Sequence, residues 1–379
     1  ILDNILLSSN ALKAGFSELI AQGDVVTVSN ALNYISDAYT SLADGILLND
    51  RIQSQLSQMQ SLAITNRLTR GKNPHAGSEE FARFIRSYHG TAYASSDDEL
   101  PSEQSPQHKG ELWASYGGSM GTGNSATSLV NGVMIGYDYD ISQDVLLGGL
   151  VQYGYGSFDG NFLHTTSHNV AFALYSRMYF GENELDISIS QNFGFNTTNI
   201  QVGATSMPQQ INGAMSYDLY RTGVSATYGY RFAVGGSEED SPYYLKPLLT
   251  LEGSYLYQEE GVSNSLVPLY VSVMHSFKAV AGVGLEMRKY FSAGNYFYLT
   301  PMVLRDLFCG GSNAEVGFVD TQKMTYTPNY TSKTSLSLQA GGEGRVGENL
   351  SINGGVGFKM GIENSELLTN WSVGLKYRF

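Results

Sequence analysis

From residue 110 to residue 379 apolar and polar side chains alternate with a period of two. The last segment is the clearest: Trp371, Val373, Leu375, Tyr377 and Phe379 share one face, and Ser372, Gly374, Lys376 and Arg378 share the other. Leu185, Ile187, Ile189, Phe193 and Phe195 oppose Asp186, Ser188, Ser190, Asn192 and Gly194 in the same way, and Leu350, Ile352, Val356, Phe358 and Met360 oppose Ser351, Asn353, Gly355, Gly357 and Lys359. Successive strand side chains point to opposite faces, so each of these runs is a strand with one apolar face. The pattern predicts twelve strands, at 110–118, 129–140, 144–157, 168–180, 184–197, 216–233, 243–258, 273–291, 295–308, 334–346, 350–361 and 370–379.

The connections sort by parity. Those after even-numbered strands are short, as at Ile141-Ser142-Gln143, Gly181-Glu182-Asn183, Ser292-Ala293-Gly294 and Gly347-Glu348-Asn349, with a longer one at 234–242. Those after odd-numbered strands are mostly longer: 119–128, 158–167, 198–215, 259–272 and 309–333. A soluble sandwich has no reason to sort its loops this way, whereas a transmembrane barrel does. The strands are long enough to cross the hydrocarbon layer when tilted, and an open edge in lipid would leave backbone groups unpaired, so the sheet must close. Aromatic residues near strand ends, including Tyr137, Tyr139, Tyr179, Phe180, Tyr290, Phe291, Tyr377 and Phe379, are expected at headgroup level. The fold class is therefore an all-β membrane protein: a 12-stranded antiparallel transmembrane β-barrel preceded by an α-helical segment.

Residues 1–94 read as helix instead. Leu2, Leu6, Leu7, Leu12, Phe16, Leu19 and Ile20 fall near a 3.6 spacing before Gly23, and Leu32, Ile35, Ala38, Tyr39 and Leu42 follow a candidate cap at Ser29. From 46 to 70 comes a helix with a narrow apolar stripe of Ile52, Leu56, Met59 and Ala63 among Gln53, Ser54, Gln55, Ser57, Gln58, Gln60 and Ser61, ending on Arg67 and Arg70. A helix polar on most of its circumference does not belong in an apolar core, but it suits a hydrated cavity or weak pairing through its stripe. A shorter helix is expected at 79–88 and a linker at 95–109, which divides the chain into 1–45, 46–109 and a barrel at 110–379.

Parity also assigns a lumen. Arg221, Arg231, Lys246, Glu252, Lys278, Glu286, Arg288, Glu343, Arg345, Lys359, Lys376 and Arg378 are expected to point inward, making a wet interior able to hold a helix or guide a polypeptide. No uninterrupted apolar run reaches the roughly 18 residues of a helical span. Charged residues are only 15% of the chain and glycine and tyrosine are abundant, with 43 and 26 copies, which fits lipid-facing strands. The formal net charge of −13 argues against nucleic acid as a partner, because phosphate binding needs a basic footprint. Cys309 is the single cysteine, so there is no internal disulfide and no thiolate metal site, and no cofactor is expected. The opening Ile1-Leu2-Asp3-Asn4 lacks a basic leader region, so an exported protein would carry its leader upstream.

Catalysis finds little support. His275 and Ser276 are neighbours, and on a strand neighbours point to opposite faces. The His-x-Ser-Asn spacing of outer-membrane phospholipases is absent at 275–278, which read His-Ser-Phe-Lys. His164 and His168 are expected in a loop rather than on a helix, where four-residue spacing would bring them together on a metal. Glycines at 341–344 and 354–357 lie within strands, where they relieve crowding in a curved sheet rather than cradle phosphate.

Three features together resemble the C-terminal translocator of autotransporters, the type V secretion family. They are Asn66-Arg67-Leu68-Thr69-Arg70 before a linker and the strand Leu112-Trp113-Ala114-Ser115-Tyr116-Gly117-Gly118, the twelve strands, and the terminal Tyr377-Arg378-Phe379. Tyr153-Gly154-Tyr155-Gly156-Ser157-Phe158, Leu174-Tyr175-Ser176-Arg177, Leu245-Lys246-Pro247 with Ser254-Tyr255, Tyr296-Phe297-Tyr298 and Gly310-Gly311-Ser312-Asn313-Ala314 are most similar to its vacuolating-cytotoxin branch. The resemblance implies a barrel in the outer membrane of a Gram-negative bacterium, among outer-membrane lipid. Periplasmic chaperones and the barrel-assembly machinery would deliver it, reading a terminal-strand signal of Trp371, Val373, Leu375, Tyr377 and Phe379. An upstream passenger would reach the surface as an extended hairpin, after which a helix plugs the pore, and residues 1–45 would be the passenger's tail or a junction. Some members release the passenger by cyclising an asparagine in the lumen. This chain has no Asn-Asn pair in or near the helix, so that chemistry is not expected. The rival readings are an open diffusion porin and an adhesin acting through long loops such as 309–333.

Overall fold

The computed structural model describes residues 21, 26, 29, 51–68 and 110–379, the last range without 124–125, 143, 161–162, 202–211, 235–242, 266–267, 293–294, 320–322, 327–332, 348 and 364–365. The 79–88 helix, the 95–109 linker, Arg70 and nearly all of 1–45 lie outside the described residues. Residues 51–68 form a helix, α1. The strands that follow are β1 (Gly110–Gly123), β2 (Ala126–Asp140), β3 (Val145–Asp159), β4 (Leu163–Phe180), β5 (Asn183–Ile200), β6 (Gly213–Tyr230), β7 (Phe232–Val234), β8 (Tyr243–Gln258), β9 (Gly261–Val262), β10 (Leu269–Val271), β11 (Met274–Ser292), β12 (Asn295–Gly311), β13 (Ala314–Phe318), β14 (Met324–Tyr326), β15 (Thr334–Arg345), β16 (Leu350–Gly361) and β17 (Leu367–Arg378).

Neighbouring wall strands are antiparallel, and β17 pairs β1 over twelve positions from Glu111↔Arg378 to Thr122↔Leu367. β8 pairs both β6 and β11, which closes the sheet. β6 and β7 are one wall strand interrupted at Arg231, since both pair β8. The result is the expected closed barrel of twelve antiparallel strands. Its lipid face is a band of exposed apolar side chains such as Val133, Leu174, Val224, Val283 and Val373. The terminal strand turns Trp371, Val373, Leu375 and Tyr377 outward with Phe379, as its alternation requires. Among the described residues no helix is long and apolar enough to cross a membrane, so the strands do the crossing.

One rim carries the tight turns at 141–144 and 181–182, and both Gly110 and Phe379 meet there, with the Phe379 N–H donating to the Gly110 carbonyl at 3.3 Å. The other rim differs from expectation. The connections expected at 119–128 and 158–167 are mostly strand, because β1 and β2 reach Gly123 and Ala126 and β3 and β4 reach Asp159 and Leu163. Serine and threonine suit a ribbon standing above the hydrocarbon, where polar side chains bond across strands; Thr165 and Thr198 hydroxyls lie 2.9 Å apart. Loops 259–272 and 309–333 also contain strands, joined in the order β14-β13-β10-β9 as a second, four-stranded sheet. His164 and His168 consequently belong to β4 rather than to a loop, facing outward, and are hydrogen-bonded with Asp159 at 2.6 Å and Tyr153 at 2.8 Å.

Candidate functional site: the occupied lumen

Gln, Leu, Met, Ala and Arg are strong helix formers, but a polar 18-residue helix is marginal alone in water. The barrel stabilises α1 by enclosing it. Ile52, Leu56 and Met59 pack with Val130 and Phe158, while Ala63, Ile64 and Leu68 pack with Trp113, Met134, Leu146, Leu150, Ala173 and Tyr175. The helix therefore lies against the β1–β4 side, not on the barrel axis. Glycines make the approach possible. A Cβ at Gly154 would sit 2.5 Å from Leu56, and one at Gly156 would sit 2.9 Å from Ile52. Gly341 and Gly355 do more than ease curvature: Cβ atoms there would meet the Asn66 amide at 2.5 and 2.8 Å.

The opposite side of α1 faces a cavity of about 230 Å³, room for several waters, bordered by Ser54, Ser57, Ser61 and Thr65 of the helix and by Ser225, Thr227, Ser254 and Gln339 of the far wall. Arg221, Glu252, Lys278 and Lys359 border it too. Lys278 pairs with Asp306 at 3.1 Å, and Arg221 donates to Ser254 at 3.4 Å.

Direction is the informative feature of α1. Its last turn lies at the turn rim and its first residue at the loop rim. Arg67 donates from Nε to Asp138 at 2.9 Å and from Nη2 to Glu111 at 2.9 Å, with its guanidinium 5.5 Å from the Trp113 ring. Tyr175 donates to Asp138 and receives the Trp113 Nε1–H at 3.1 Å, so the acidic seat is itself held in place. Tyr296 donates to the Asn66 carbonyl at 2.6 Å, Tyr298 to the Asn66 side chain, and Arg177 to the Leu68 carbonyl, which satisfies exposed carbonyls of the last turn and sets a cation at its negative end. At the far end Arg51 donates to Glu366 at 3.0 Å. Gln53 donates to Asn169 at 2.7 Å between these ends.

Two ion clusters ring the turn rim. One surrounds Arg67: Arg378 bonds Glu111 at 2.7 Å, and Lys376 pairs with Glu343. The other belongs almost wholly to the wall. Arg177 clamps Asp186 with two bonds of 2.6 Å, Lys246 meets Glu184 at 2.5 Å and Glu286 at 3.2 Å, Arg288 donates to Glu286 at 2.7 Å, and Arg231 to Glu182 at 3.1 Å. Of the charges expected inside, Arg345 is the exception: it is exposed at the turn, its Nε donating to the Gly347 carbonyl at 3.0 Å. It shares Glu343's side of β15 but is the last residue of that strand, at the rim where solvent reaches both faces. Glu111, Asp138, Arg177, Glu184 and Glu366 escaped the sequence reading. Applying strand parity to β1 and β2 would have found Glu111 and Asp138; nothing local marks Glu366.

An antiparallel twelve-stranded barrel with an apolar outside, a polar inside and one of its own helices through the lumen is an outer-membrane translocator rather than an open porin. The chain matches the family described as "Vacuolating cytotoxin autotransporter VacA, C-terminal domain" over residues 67–379, and it belongs to that family. Vacuolating cytotoxin autotransporters of Helicobacter pylori are 25% and 24% identical over 401 and 394 residues; the alignments cover all of this chain and 30% of each relative, so the chain spans less than a third of their length. Among solved structures, the translocator domain of autotransporter NalP from Neisseria meningitidis has a TM-score of 0.58 at 15% identity, covering 81% of this chain and 96% of that one. The transport unit of autotransporter AIDA-I from Escherichia coli reaches 0.52 at 16% identity, covering 82% and 100%. The domain is a transport module of the Gram-negative outer membrane.

Proposed function

We propose that this barrel delivers the chain preceding α1 to the cell surface and that α1 then stays behind as its plug. The direction of α1 carries this reading. Arg51 lies at the loop rim and Arg67 at the turn rim, while β1 starts from the turn side, which is the direction of a helix left behind by export toward the loop side. The glycine-lined wall and the Arg67 seat hold the plug, and the wall cluster around Glu184 seals the remainder of the turn rim. Residues 1–45 act as the tail of a passenger or its junction. The outward row of Trp371, Val373, Leu375, Tyr377 and Phe379 is the signal read by the assembly machinery after chaperone delivery, and outer-membrane lipid covers the barrel's apolar band. The domain performs no chemistry of its own. The passenger and its activity belong to the longer protein.

Protease shaving of intact cells tests this, with a signal peptide and an epitope tag fused ahead of Ile1. Surface-accessible tag beside an inserted barrel is the expected result. A tag that stays periplasmic beside a correctly inserted barrel refutes export.

A further inference from the structure

Arg51 and Arg67 stand 16 positions apart, roughly 24 Å along a helix. Each reaches a carboxylate seat at one rim of the lumen: Glu366 at the loop rim for Arg51, and Asp138 with Glu111 at the turn rim for Arg67. The two guanidiniums are 5% and 1% exposed. A slide of one helical turn, roughly 5.4 Å, takes both arginines off their seats together and breaks both pairings at once.

The apolar stripe between them is not distinctive. Ile52, Leu56, Met59 and Ala63 follow Arg51 at the same intervals at which Val28, Leu32, Ile35 and Tyr39 follow Thr27. Residues 27–43 lack the pair of end charges, for Thr27 and Ala43 stand where the helix has Arg51 and Arg67, and the stripe also departs at Thr40 and Asp44, which stand where the helix has Ile64 and Leu68. Lys13 is the only lysine or arginine among residues 1–50, so that stretch offers no two cations at this separation.

We propose that the two arginines, rather than the apolar stripe, select which segment of the chain remains in the lumen and fix its register. The barrel measures a separation: a segment stays when it presents cations to both carboxylate seats at once, and a segment with the same stripe but neutral ends does not. The paucity of basic residues in 1–50 is the other half of the device, since it keeps that stretch from competing for the seats. The proposal rests on reading α1 as the segment retained after export.

The test uses the full chain with Cys309→Ser and a wall cysteine, Asn192→Cys. The Gln60 amide reaches Asn192 at 3.5 Å, so a short bis-thiol cross-linker joining Gln60→Cys to Asn192→Cys reports the native register, and Ser36→Cys reports the equivalent place in residues 27–43. With native arginines the cross-link forms at 60 and not at 36. In Arg51→Gln/Arg67→Gln its yield at 60 falls by about tenfold or more. Adding Thr27→Arg, Tyr39→Ala, Thr40→Ile, Ala43→Arg and Asp44→Leu to that chain transfers the cross-link to 36. Heat-modifiable mobility of the barrel shows that each variant is folded. Undiminished linkage at 60 in the double glutamine variant, or no linkage at 36 in the decoy chain, overturns the proposal. Surface exposure of an upstream tag, scored in parallel, reports export separately, so a failed register and a failed export are distinct results.

Discussion

The two sides of the lumen have the same strand alternation and opposite uses. On the β1–β4 side glycines at 154 and 156 let Leu56 and Ile52 approach the backbone, and aromatic and aliphatic residues such as Trp113 and Leu150 complete a dry contact. On the β6–β12 side the inward positions include serine, threonine and paired charges, and the helix leaves water-sized space there. Parity says only that a residue points inward. Whether an inward residue is glycine or serine affects how closely a helix can rest on that wall, because a Cβ at 2.5 Å from Leu56 would force the leucine to move.

The sharpest way to break this comparison is Gly154→Leu, which fills the place of the Leu56 side chain. It should unseat α1 and raise single-channel conductance in a planar bilayer to that of a barrel lacking 51–68. Ser225→Leu on the cavity side should leave conductance near the native level. Equal conductance for the two variants would show that the helix does not depend on the glycine wall.

The two ion clusters sharpen the comparison further. Arg67→Gln takes the helix cation from buried Asp138, while Glu111 keeps Arg378, a loss of about 3–5 kcal/mol for the seated helix. Its expected signature is a lower temperature for loss of heat-modifiable mobility together with faster proteolysis of α1. Glu184→Gln removes the anion shared by Lys246 and Arg177, and its penalty of about 3–5 kcal/mol should fall on barrel unfolding while α1 stays protected. If both variants expose the helix equally, the clusters are not separable as described. A smaller effect is expected from deleting Phe379, which should reduce the yield of inserted barrel in cells without lowering the melting temperature of what is inserted. Least of all should follow from Arg305→Ala: the Arg305–Glu363 pair is exposed at the loop rim, where water screens it, and the melting curve should not move.

Much of this molecule is legible from its residues. The barrel, its twelve strands, the wet lumen and a helix unsuited to an apolar core follow from local spacing, and the outward row ending at Phe379 follows from one strand. The loop-rim ribbons were less legible, since serine and threonine at 119–128 and 158–167 read as loop until they are seen paired across strands. The seat of Arg67 was not found. Asp138 lies 71 positions from Arg67, and Glu366 lies 315 from Arg51.

Sequence alone determined which face each wall residue takes, because alternation is a property of the backbone pleat and needs no partner. It also determined that one helix would be polar and arginine-ended. Only the tertiary structure decided against which wall that helix rests, at what depth, and which carboxylates receive its ends. Those depend on strand register and barrel closure, which bring together residues from both ends of the chain, and no local spacing encodes a distance measured across the lumen.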